Sequence, residues 1–391
     1  MEFLLHGHEF NLKGANRGFF TSRLRDNLET LLAGCDCRVG MRGLGLLVSC
    51  PGEHAAVARE RLQRALGVQT LVAGERVAAD VEAIAPAALA VIAGQAGPSF
   101  ALAVQRPDKA LELSSYEVAV AVGRYIQERL GVEVDLNHPA RRCTIVLSRA
   151  GALVSAGPEA GPGGMPAGTA GRMLALLSSG FDSPVAAFRM IRRGARVALV
   201  HFHAPTGGGQ GSSAVQAEAL ARQLTRYQLH SRLYLCPFLP VQQAIVAAAP
   251  SRYRVLLYRR MMLRIAAALA GVIHAHGLIT GDSLGQVASQ TVLNLEAVNA
   301  AVALPIYRPL IGDDKHAIQA EGRLIGTFAI SSELSDDCCS AFLPRSPALS
   351  SSPAELEAAE RGLPVEELAR AAIAGIATRR YALVHGEPVE E

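Results

Sequence analysis

A short loop of small and polar residues is the first candidate for chemistry in this sequence. Ser178-Ser-Gly-Phe-Asp-Ser183 follows an apolar stretch, Leu174–Leu177, and precedes a stretch with helical spacing, Ser183–Arg192. Backbone N–H groups of such a loop can approach an anion, and the helix dipole favours one there. The Asp182 carboxylate repels phosphate unless Mg²⁺ lies between them. The loop is therefore a candidate Mg²⁺–phosphate site, although an ordinary Ser- and Gly-rich turn is the more common interpretation of six such residues alone.

A pair of adjacent cysteines is the second candidate. Cys338 and Cys339 lie among polar and turn residues, which is not a core pattern. The thiolate is the reactive form of cysteine, and nearby positive charge favours it. Arg345 would act in that direction, whereas Asp336 and Asp337 would oppose it. By itself the pair is as consistent with an inert thiol as with a reactive one.

The elements that position these residues alternate between strand and helix. Up to about residue 75 the order fits β-α-β-β-α-β, and a second block contains a helix capped by Ser114 or Ser115, with Glu117 near its third position. Gly157–Gly168 is so rich in Gly and Pro that we expect a linker without regular structure. From Met173 onward, continuous apolar strands alternate with helices, which favours a doubly wound parallel sheet.

Composition excludes several classes of protein. The chain has 391 residues, 50% hydrophobic and 19% charged, so it is neither disordered nor fibrous. Its net charge of +3 requires any nucleic-acid surface to be local. We expect no secretory signal and no membrane span, because no apolar run reaches about 18 residues. Seven cysteines without framework or zinc-type spacing indicate a reducing cytoplasm, with Cys35 and Cys37 as ordinary core or surface thiols.

Seven motifs together resemble one family. Ser178–Ser183 resembles the PP-loop, SGGxDS, of ATP pyrophosphatases, and the ordered set across nearly the whole chain resembles the tRNA 4-thiouridine synthetase (tRNA sulfurtransferase) family. The six further motifs are Asn11-Leu-Lys-Gly-Ala-Asn-Arg17, Gly163-Gly-Met-Pro-Ala-Gly-Thr169, His201-Phe-His203, Arg259-Arg-Met-Met-Leu-Arg264, Thr280-Gly-Asp-Ser-Leu-Gly-Gln-Val-Ala-Ser-Gln-Thr291 and Leu304-Pro-Ile-Tyr-Arg-Pro-Leu-Ile-Gly312.

The resemblance implies an α/β protein of three domains. These are an N-terminal ferredoxin-like α+β domain (residues 1–75), a THUMP RNA-binding α/β domain (76–165) and a doubly wound PP-loop domain of adenine nucleotide alpha hydrolase type (166–391). Some family members carry a C-terminal rhodanese domain, for which this chain ends too early. Sulfur is therefore expected from outside, as persulfide from a cysteine desulfurase or another donor. Further expectations are tRNA as partner, ATP and Mg²⁺, no membrane, a possible homodimer and a cytoplasmic location.

The resemblance also assigns roles residue by residue. The catalytic set is Cys339, which carries or handles the persulfide sulfur, Cys338 as its assistant, Lys315 and Asp182, the last also the Mg²⁺ ligand. The ATP-binding set is Leu176, Leu177, Ser178, Ser179, Gly180, Asp182, Ser183, His201, Phe202, Arg259, Gly281 and Gln290. The tRNA-binding set is Lys13, Arg17, Arg106 and Lys109.

The implied reaction is the formation of 4-thiouridine, expected at tRNA position 8. O4 of uridine is a poor leaving group, so ATP adenylates it and a sulfur nucleophile then attacks C4. Service to thiamine (thiazole) synthesis is left open. One alternative is a PP-loop enzyme that adenylates another substrate. Another is a non-catalytic THUMP protein with a decayed loop, for which Ser179 in place of the usual Gly is the only hint; a positive φ there would cost about 1 kcal/mol.

Overall fold

A computed structural model describes the chain except residues 8, 10–13, 43–44, 107–113, 205–212, 334–341 and 343–345. The described residues form two compact units, Met1–Gly164 (unit 1) and Met165–Glu391 (unit 2). Each unit is built around its own sheet. Among the described helices, none is both long and apolar enough to cross a bilayer.

In unit 1, the described strands form one eight-stranded sheet in the order β2-β3-β1-β4-β8-β7-β5-β6. The strands are β1 (Glu2–His6), β2 (Arg38–Arg42), β3 (Gly45–Ser49), β4 (Thr70–Val77), β5 (Ser99–Gln105), β6 (Glu133–Val134), β7 (Arg141–Ser148) and β8 (Gly151–Ala160). The helices are α1 (Arg17–Leu31), α2 (Ala55–Leu62), α3 (Val81–Ala93) and α4 (Ser115–Leu130).

The first half of this sheet has the expected β-α-β-β-α-β order, although the sequence did not locate β2. β4 pairs with β1 on one side and with β8 on the other, so the sheet continues into the second half. The expected domain border at residue 75 lies within β4. Helix α4 has the predicted cap: Ser114 Oγ accepts from Glu117 N–H at 3.2 Å, and Ser114 N–H donates to the Glu117 carboxylate at 3.0 Å.

The expected linker is wrong at its start, because β8 runs through Gly157 and Pro158 to Ala160. Proline cannot donate to a sheet ladder and is tolerated only where a strand has a free side. Residues 152–155 of β8 pair with both β7 and β4, whereas Pro158 pairs only with Val72 of β4. The Gly- and Pro-rich composition therefore marks an edge segment of a strand.

The expectation that Cys37 is a free thiol is also wrong, since Cys37 forms a disulfide with Cys50. Arg38 of β2 pairs with Ser49 of β3, so Cys37, which precedes Arg38, lies opposite Cys50, which follows Ser49. Cys35 is a buried thiol, as are Cys143 and Cys236. Burial raises the pKa of the Cys143 and Cys236 thiols to about 12, which leaves both as poor nucleophiles.

In unit 2, seven described strands form a sheet in the order β13-β12-β9-β10-β11-β14-β15. They are β9 (Arg172–Leu176), β10 (Arg196–His203), β11 (His230–Pro237), β12 (Leu278–Ile279), β13 (Ile306–Tyr307), β14 (Ala377–Val384) and β15 (Glu387–Glu390). The helices are α5 (Asp182–Arg192), α6 (Ser213–Gln228), α7 (Leu239–Ala248), α8 (Arg254–Val272), α9 (Val292–Asn299), α10 (Lys315–Leu324), α11 (Phe328–Ser331), α12 (Pro353–Glu360) and α13 (Val365–Ala374).

The first five of these strands are parallel, which confirms the predicted doubly wound core. β9 lies between β10, which follows it in sequence, and β12, which comes much later. The connection after β9 leads to β10 on one side, and the connection after β12 leads to β13 on the other. Ligands of open α/β sheets bind in the crevice at such a switch point. The loop Ser178–Ser183 follows β9, and Thr280-Gly-Asp282 follows β12.

One edge of this sheet is formed by the C-terminal strands β14 and β15. β14 pairs antiparallel with β11, and β15 pairs antiparallel with β14. Tyr381 of β14 is buried, and the Arg222 guanidinium lies 4.6 Å above its ring. The terminal residues are therefore part of the sheet that carries the crevice.

Helix α8 is joined to α12 by a buried ion pair. Arg260 is only 1% exposed and donates from Nε and Nη2 to the Glu360 carboxylate at 2.9 and 3.0 Å. Arg264, one turn later, donates to the same carboxylate at 2.7 and 2.8 Å. Burial acts to raise the pKa of Glu360, but the two arginines outweigh it and hold the pKa below its usual value.

Glu360→Gln should lower the free energy of unfolding by about 3–5 kcal/mol, because Arg260 would remain buried without a counter-charge. Because the folded-state pKa of Glu360 is depressed, its contribution in the parent is present above the unfolded pKa and is lost as the pH falls. Urea denaturation against Glu357→Gln, on the exposed side of the same helix, measures the difference. Equal stability of the two variants at neutral pH would contradict this role.

Candidate active site

A cavity of about 590 Å³ opens at the switch point of unit 2. Its apolar wall comes mainly from α8 and α9, through Leu256, Met262, Leu263 and Val298. Its polar side is formed by Ser178, Asp182, Ser183, Thr280, Asp282, Ser289 and Gln290, with Arg252, Arg259 and Arg308. An apolar slot beside convergent polar groups is typical of a site for a flat ring attached to a charged group.

The loop Ser178–Ser183 is closed by hydrogen bonds between its two terminal serines. Ser183 Oγ accepts from Ser178 N–H at 2.7 Å and lies 3.2 Å from the Ser178 carbonyl oxygen, to which it can donate. The Gly180 N–H donates to Ser178 Oγ at 3.3 Å. Ser179 is buried and does not have a positive φ, so serine at this position carries no left-handed strain.

Gly281 is the position where the loops after β12 and β9 meet. A Cβ atom on Gly281 would lie 2.7 Å from Ser183 N and 2.9 Å from the carbonyl carbon of Asp182. Both are backbone atoms at the start of α5, and they cannot move aside as the end of a side chain could. Only glycine therefore lets the two loops approach this closely.

Asp282 is the electrostatic centre of the cavity. Its side chain is 4% exposed in the folded protein, and it pairs with Arg259 and, at 2.9 Å, with Arg308 Nε. Thr280 Oγ1 donates to Oδ2 at 2.8 Å, and Gln290 Nε2 donates to Oδ1 at 3.2 Å. Burial alone would raise the pKa of Asp282, but the arginine charges and these hydrogen bonds lower it to about 2. The carboxylate therefore stays ionised and fixes four cavity side chains.

Asp182 at the start of α5 has a different environment. Its Oδ2 atom accepts from Gln286 Nε2 at 3.3 Å, whereas Oδ1 is buried without a hydrogen-bond partner among the described residues. Burial raises the pKa of this carboxyl above its usual value, and the nearby charge of Lys315 acts in the opposite direction. Lys315, the first residue of α10, is exposed. Asp182 thus presents an unsatisfied oxygen close to a cation.

Five of the predicted ATP-binding residues do not line the cavity: Leu177, Ser179, Gly180, His201 and Phe202. His201 Nδ1 lies 2.9 Å from the Leu177 carbonyl oxygen and must donate to it, and Nε2 lies 3.0 Å from Ser213 Oγ. This imidazole ties the end of β9 to α6. Phe202 packs edge-on against Phe238, with ring centroids 5.3 Å apart, inside the apolar core.

The remaining predicted residues are divided between described and undescribed parts of the chain. Leu176, Arg259 and Gln290 line the cavity, as do the loop residues Ser178, Asp182 and Ser183. Arg17 begins α1 and Arg106 follows β5, both in unit 1. Four residues lie outside the described residues: Lys13, Lys109, Cys338 and Cys339.

Comparison with known proteins decides the family. A probable tRNA sulfurtransferase of Thermus thermophilus is 44% identical over 362 residues, covering 92% of this chain and 89% of the relative. The chain belongs to the tRNA sulfurtransferase family. Another such relative, of Moorella thermoacetica, is 39% identical and covers 92% of each chain.

The family models and solved structures agree with this membership. The model of thiamine biosynthesis protein (ThiI) matches residues 168–365, that of the ThiI ferredoxin-like domain residues 2–71, and that of the THUMP domain residues 78–156. A crystal structure of a 4-thiouridine synthetase–RNA complex with bound ATP is 28% identical, with a TM-score of 0.88 over 97% of this chain and 99% of its own. PH1313 of Pyrococcus horikoshii, 23% identical with a TM-score of 0.61 over 83% of this chain and 99% of its own, shares the fold.

Some residues of this sulfurtransferase site were missed by sequence reasoning. Asp282 and Arg308 lie inside two of the quoted motifs, but no role was assigned to either. The available signal was a carboxylate three residues after the end of a buried strand, where the ligands of parallel sheets bind. Arg252 lies outside the quoted motifs, and nothing in the sequence distinguishes it from other surface arginines.

Gly281→Ala should weaken ATP binding by about tenfold or more, because overpacking against backbone costs typically about 1–3 kcal/mol. Gly271→Ala in α8, where an added methyl group meets no atom within 4 Å, is the matched control. Calorimetric titration with ATP–Mg²⁺ measures both affinities. Parent-like binding by the Gly281 variant would mean that the loops do not need this close approach.

Proposed function

We propose that the protein forms 4-thiouridine in tRNA, expected at position 8, in two steps at the cavity of unit 2. As a family member it is an ATP-dependent tRNA sulfurtransferase. The single observation that carries the ATP step is the convergence of the PP-loop, the apolar slot and the Asp282 network at one switch point. The relative solved with RNA and ATP supports both substrates.

Adenine is assigned to the apolar slot, and the phosphates to the loop Ser178–Ser183 and the arginines. Gln290 Oε1 is buried without a hydrogen-bond partner among the described residues, so it is available to a donor on the base. We assign to Leu177, His201 and Phe202 the role of fixing the ends of the strands against which the nucleotide binds. Ser179, Gly180 and Gly281 set the path of the loop.

Asp182 is suited to be a Mg²⁺ ligand. Its buried Oδ1 atom lacks a partner, and Mg²⁺ is commonly held by one or two carboxylates together with substrate phosphates and water. In the described part of the chain, no group of three His, Cys, Asp or Glu side chains could hold a metal. When bound, Mg²⁺ would offset charge on the phosphates, and Lys315, whose charge acts on Asp182, is assigned the same task.

The proposed reaction has an adenylation step and a sulfur-transfer step. Uridine O4 attacks the α-phosphorus of ATP and pyrophosphate leaves, so O4 becomes part of a good leaving group, AMP. The terminal sulfur of a persulfide on Cys339 then attacks C4, and AMP departs. A thiolate must next attack Cys339 Sγ, which oxidises two thiols to a disulfide and leaves sulfur on C4. We assign this thiolate to Cys338. Because a disulfide between neighbouring cysteines is strained, an external thiol can take its place.

Unit 1 is assigned the recognition of folded tRNA. Lys13, Arg17, Arg106 and Lys109 would contact phosphates and position the RNA by its shape. We further propose the three-domain division at about residues 75 and 165, an external persulfide donor such as a cysteine desulfurase, a homodimer and a cytoplasmic location. The thiamine family model supports a second use of the sulfur.

Reconstitution tests the two steps separately. Unmodified tRNA is incubated with protein, ATP–Mg²⁺ and a cysteine desulfurase with cysteine, and pyrophosphate and 4-thiouridine are measured. Asp182→Ala should lose both products, whereas Cys339→Ala should lose 4-thiouridine and keep pyrophosphate release. Lys315→Arg should slow pyrophosphate release, because the guanidinium does not reproduce a compact ammonium charge. Pyrophosphate without 4-thiouridine from the parent favours another adenylated substrate, and RNA binding alone favours a non-catalytic protein.

Cys338→Ser tests the resolving thiol. Without added thiol, this variant should complete fewer turnovers than the parent, since nothing cleaves the disulfide between Cys339 and the thiolated uridine. Added dithiothreitol should restore the difference. Unchanged turnover without external thiol would remove Cys338 from the mechanism.

A further inference from the structure

The Asp182 carboxylate receives one side-chain hydrogen bond within the described part of the chain, and Gln286 supplies it. Gln286 Nε2 donates to Asp182 Oδ2 at 3.3 Å. Gln286 belongs to the motif Thr280–Thr291 and lies in the loop that follows β12. This loop therefore contacts the start of α5 twice, through the backbone at Gly281 and through the side chain of Gln286.

The chemistry of the two groups fixes which end of the Gln286 amide faces Asp182. A carboxylate accepts hydrogen bonds, whereas an amide has a donor on one side and an acceptor on the other. An amide oxygen placed against the carboxylate would repel it, so the NH₂ group must face Asp182. Gln286 Oε1 is then left buried without a hydrogen-bond partner among the described residues.

Two buried acceptors without donors thus belong to two side chains that are bonded to each other. They are Gln286 Oε1 and Asp182 Oδ1. Native proteins seldom leave a buried acceptor without a donor or an ion, so such a pair indicates a ligand that satisfies both. A hydrated divalent cation does this, because the ion binds a carboxylate oxygen and its water molecules donate to other oxygens.

The backbone around Gln286 is held by bonds that do not involve its side chain. The Leu284 N–H donates to the Ile311 carbonyl oxygen at 3.0 Å, and the Gly285 N–H donates to the Gln290 carbonyl oxygen at 3.0 Å. Gln286 itself does not line the nucleotide cavity. Loss of its amide should therefore leave the path of the loop and the cavity wall in place.

We propose that Gln286 is a positioning residue for the Mg²⁺ that Asp182 is assigned to bind. Its Nε2 atom holds Asp182 Oδ2, which keeps Oδ1 available to the ion, and its Oε1 atom accepts from a water molecule of the hydrated ion. Mg²⁺ keeps several waters in most protein sites, and residues that orient its ligands contribute about 10–100-fold to metal affinity. The inference rests on the proposed function, because it requires an ATP–Mg²⁺ site at Asp182.

The test compares Gln286→Met and Gln286→Ala with the parent. Methionine keeps the length of the side chain without its amide, and alanine adds no bulk; thermal unfolding shows that each variant folds. Leu284→Ala is the control, because Leu284 lies in the same loop with an exposed side chain. The probe is an ATP analogue that resists cleavage between the α- and β-phosphates. Calorimetry measures its affinity twice, in excess MgCl₂ and in EDTA.

In MgCl₂, both Gln286 variants should bind the analogue about tenfold more weakly than the parent, because the ion is held less well. In EDTA their affinity should match the parent, since Gln286 contacts the ion and its ligand but not the nucleotide. The control should match the parent in both conditions.

Two results would overturn the proposal. An equal loss of affinity in MgCl₂ and in EDTA would show that Gln286 only shapes the loop. Parent-like affinity of both variants in MgCl₂ would show that it does not serve the ion. A parent that does not bind the analogue, or binds it equally with and without Mg²⁺, would instead overturn the proposed ATP–Mg²⁺ site, and this inference with it.

Discussion

The buried carboxylate of Asp282 is the interaction on which the nucleotide cavity depends. A charge removed from water is stable only when it is paired and its remaining lone pairs are satisfied. Arg259, Arg308, Thr280 and Gln290 meet that demand together, and in doing so they are held around one cavity. Asp282 reaches this position because Gly281 lets its loop touch the backbone of the PP-loop.

Two walls of the crevice contact the chain before and after Cys338 and Cys339. One wall of the cavity, the PP-loop, contacts α11 before the cysteines, and another contacts residues 346–349 after them. The described thiols Cys143 and Cys236 are poor candidates for a sulfur carrier, because burial raises their pKa to about 12.

Sequence patterns predicted the features that depend on local order. The PP-loop could be found because small residues follow a buried strand, and the Ser114–Glu117 cap because both partners lie within one turn. The β14–β15 hairpin was missed, because its pairing with β11 joins residues about 150 positions apart. Asp282 was likewise passed over: a carboxylate in a motif does not show that two arginines from distant elements will neutralise it. Pro158 was wrongly assigned to a linker. Proline is typical of loops, but a strand tolerates it where one side pairs with no other strand.

The two loops at the switch point are proposed to form the ATP site together. Hydrogen–deuterium exchange of the full chain, with and without a non-hydrolysable ATP analogue and Mg²⁺, measures whether both loops respond to the nucleotide. We expect slower exchange in residues 178–183 and in 280–290 at the same analogue concentration. Protection of only one loop, or of neither, would show that the nucleotide does not bind between them.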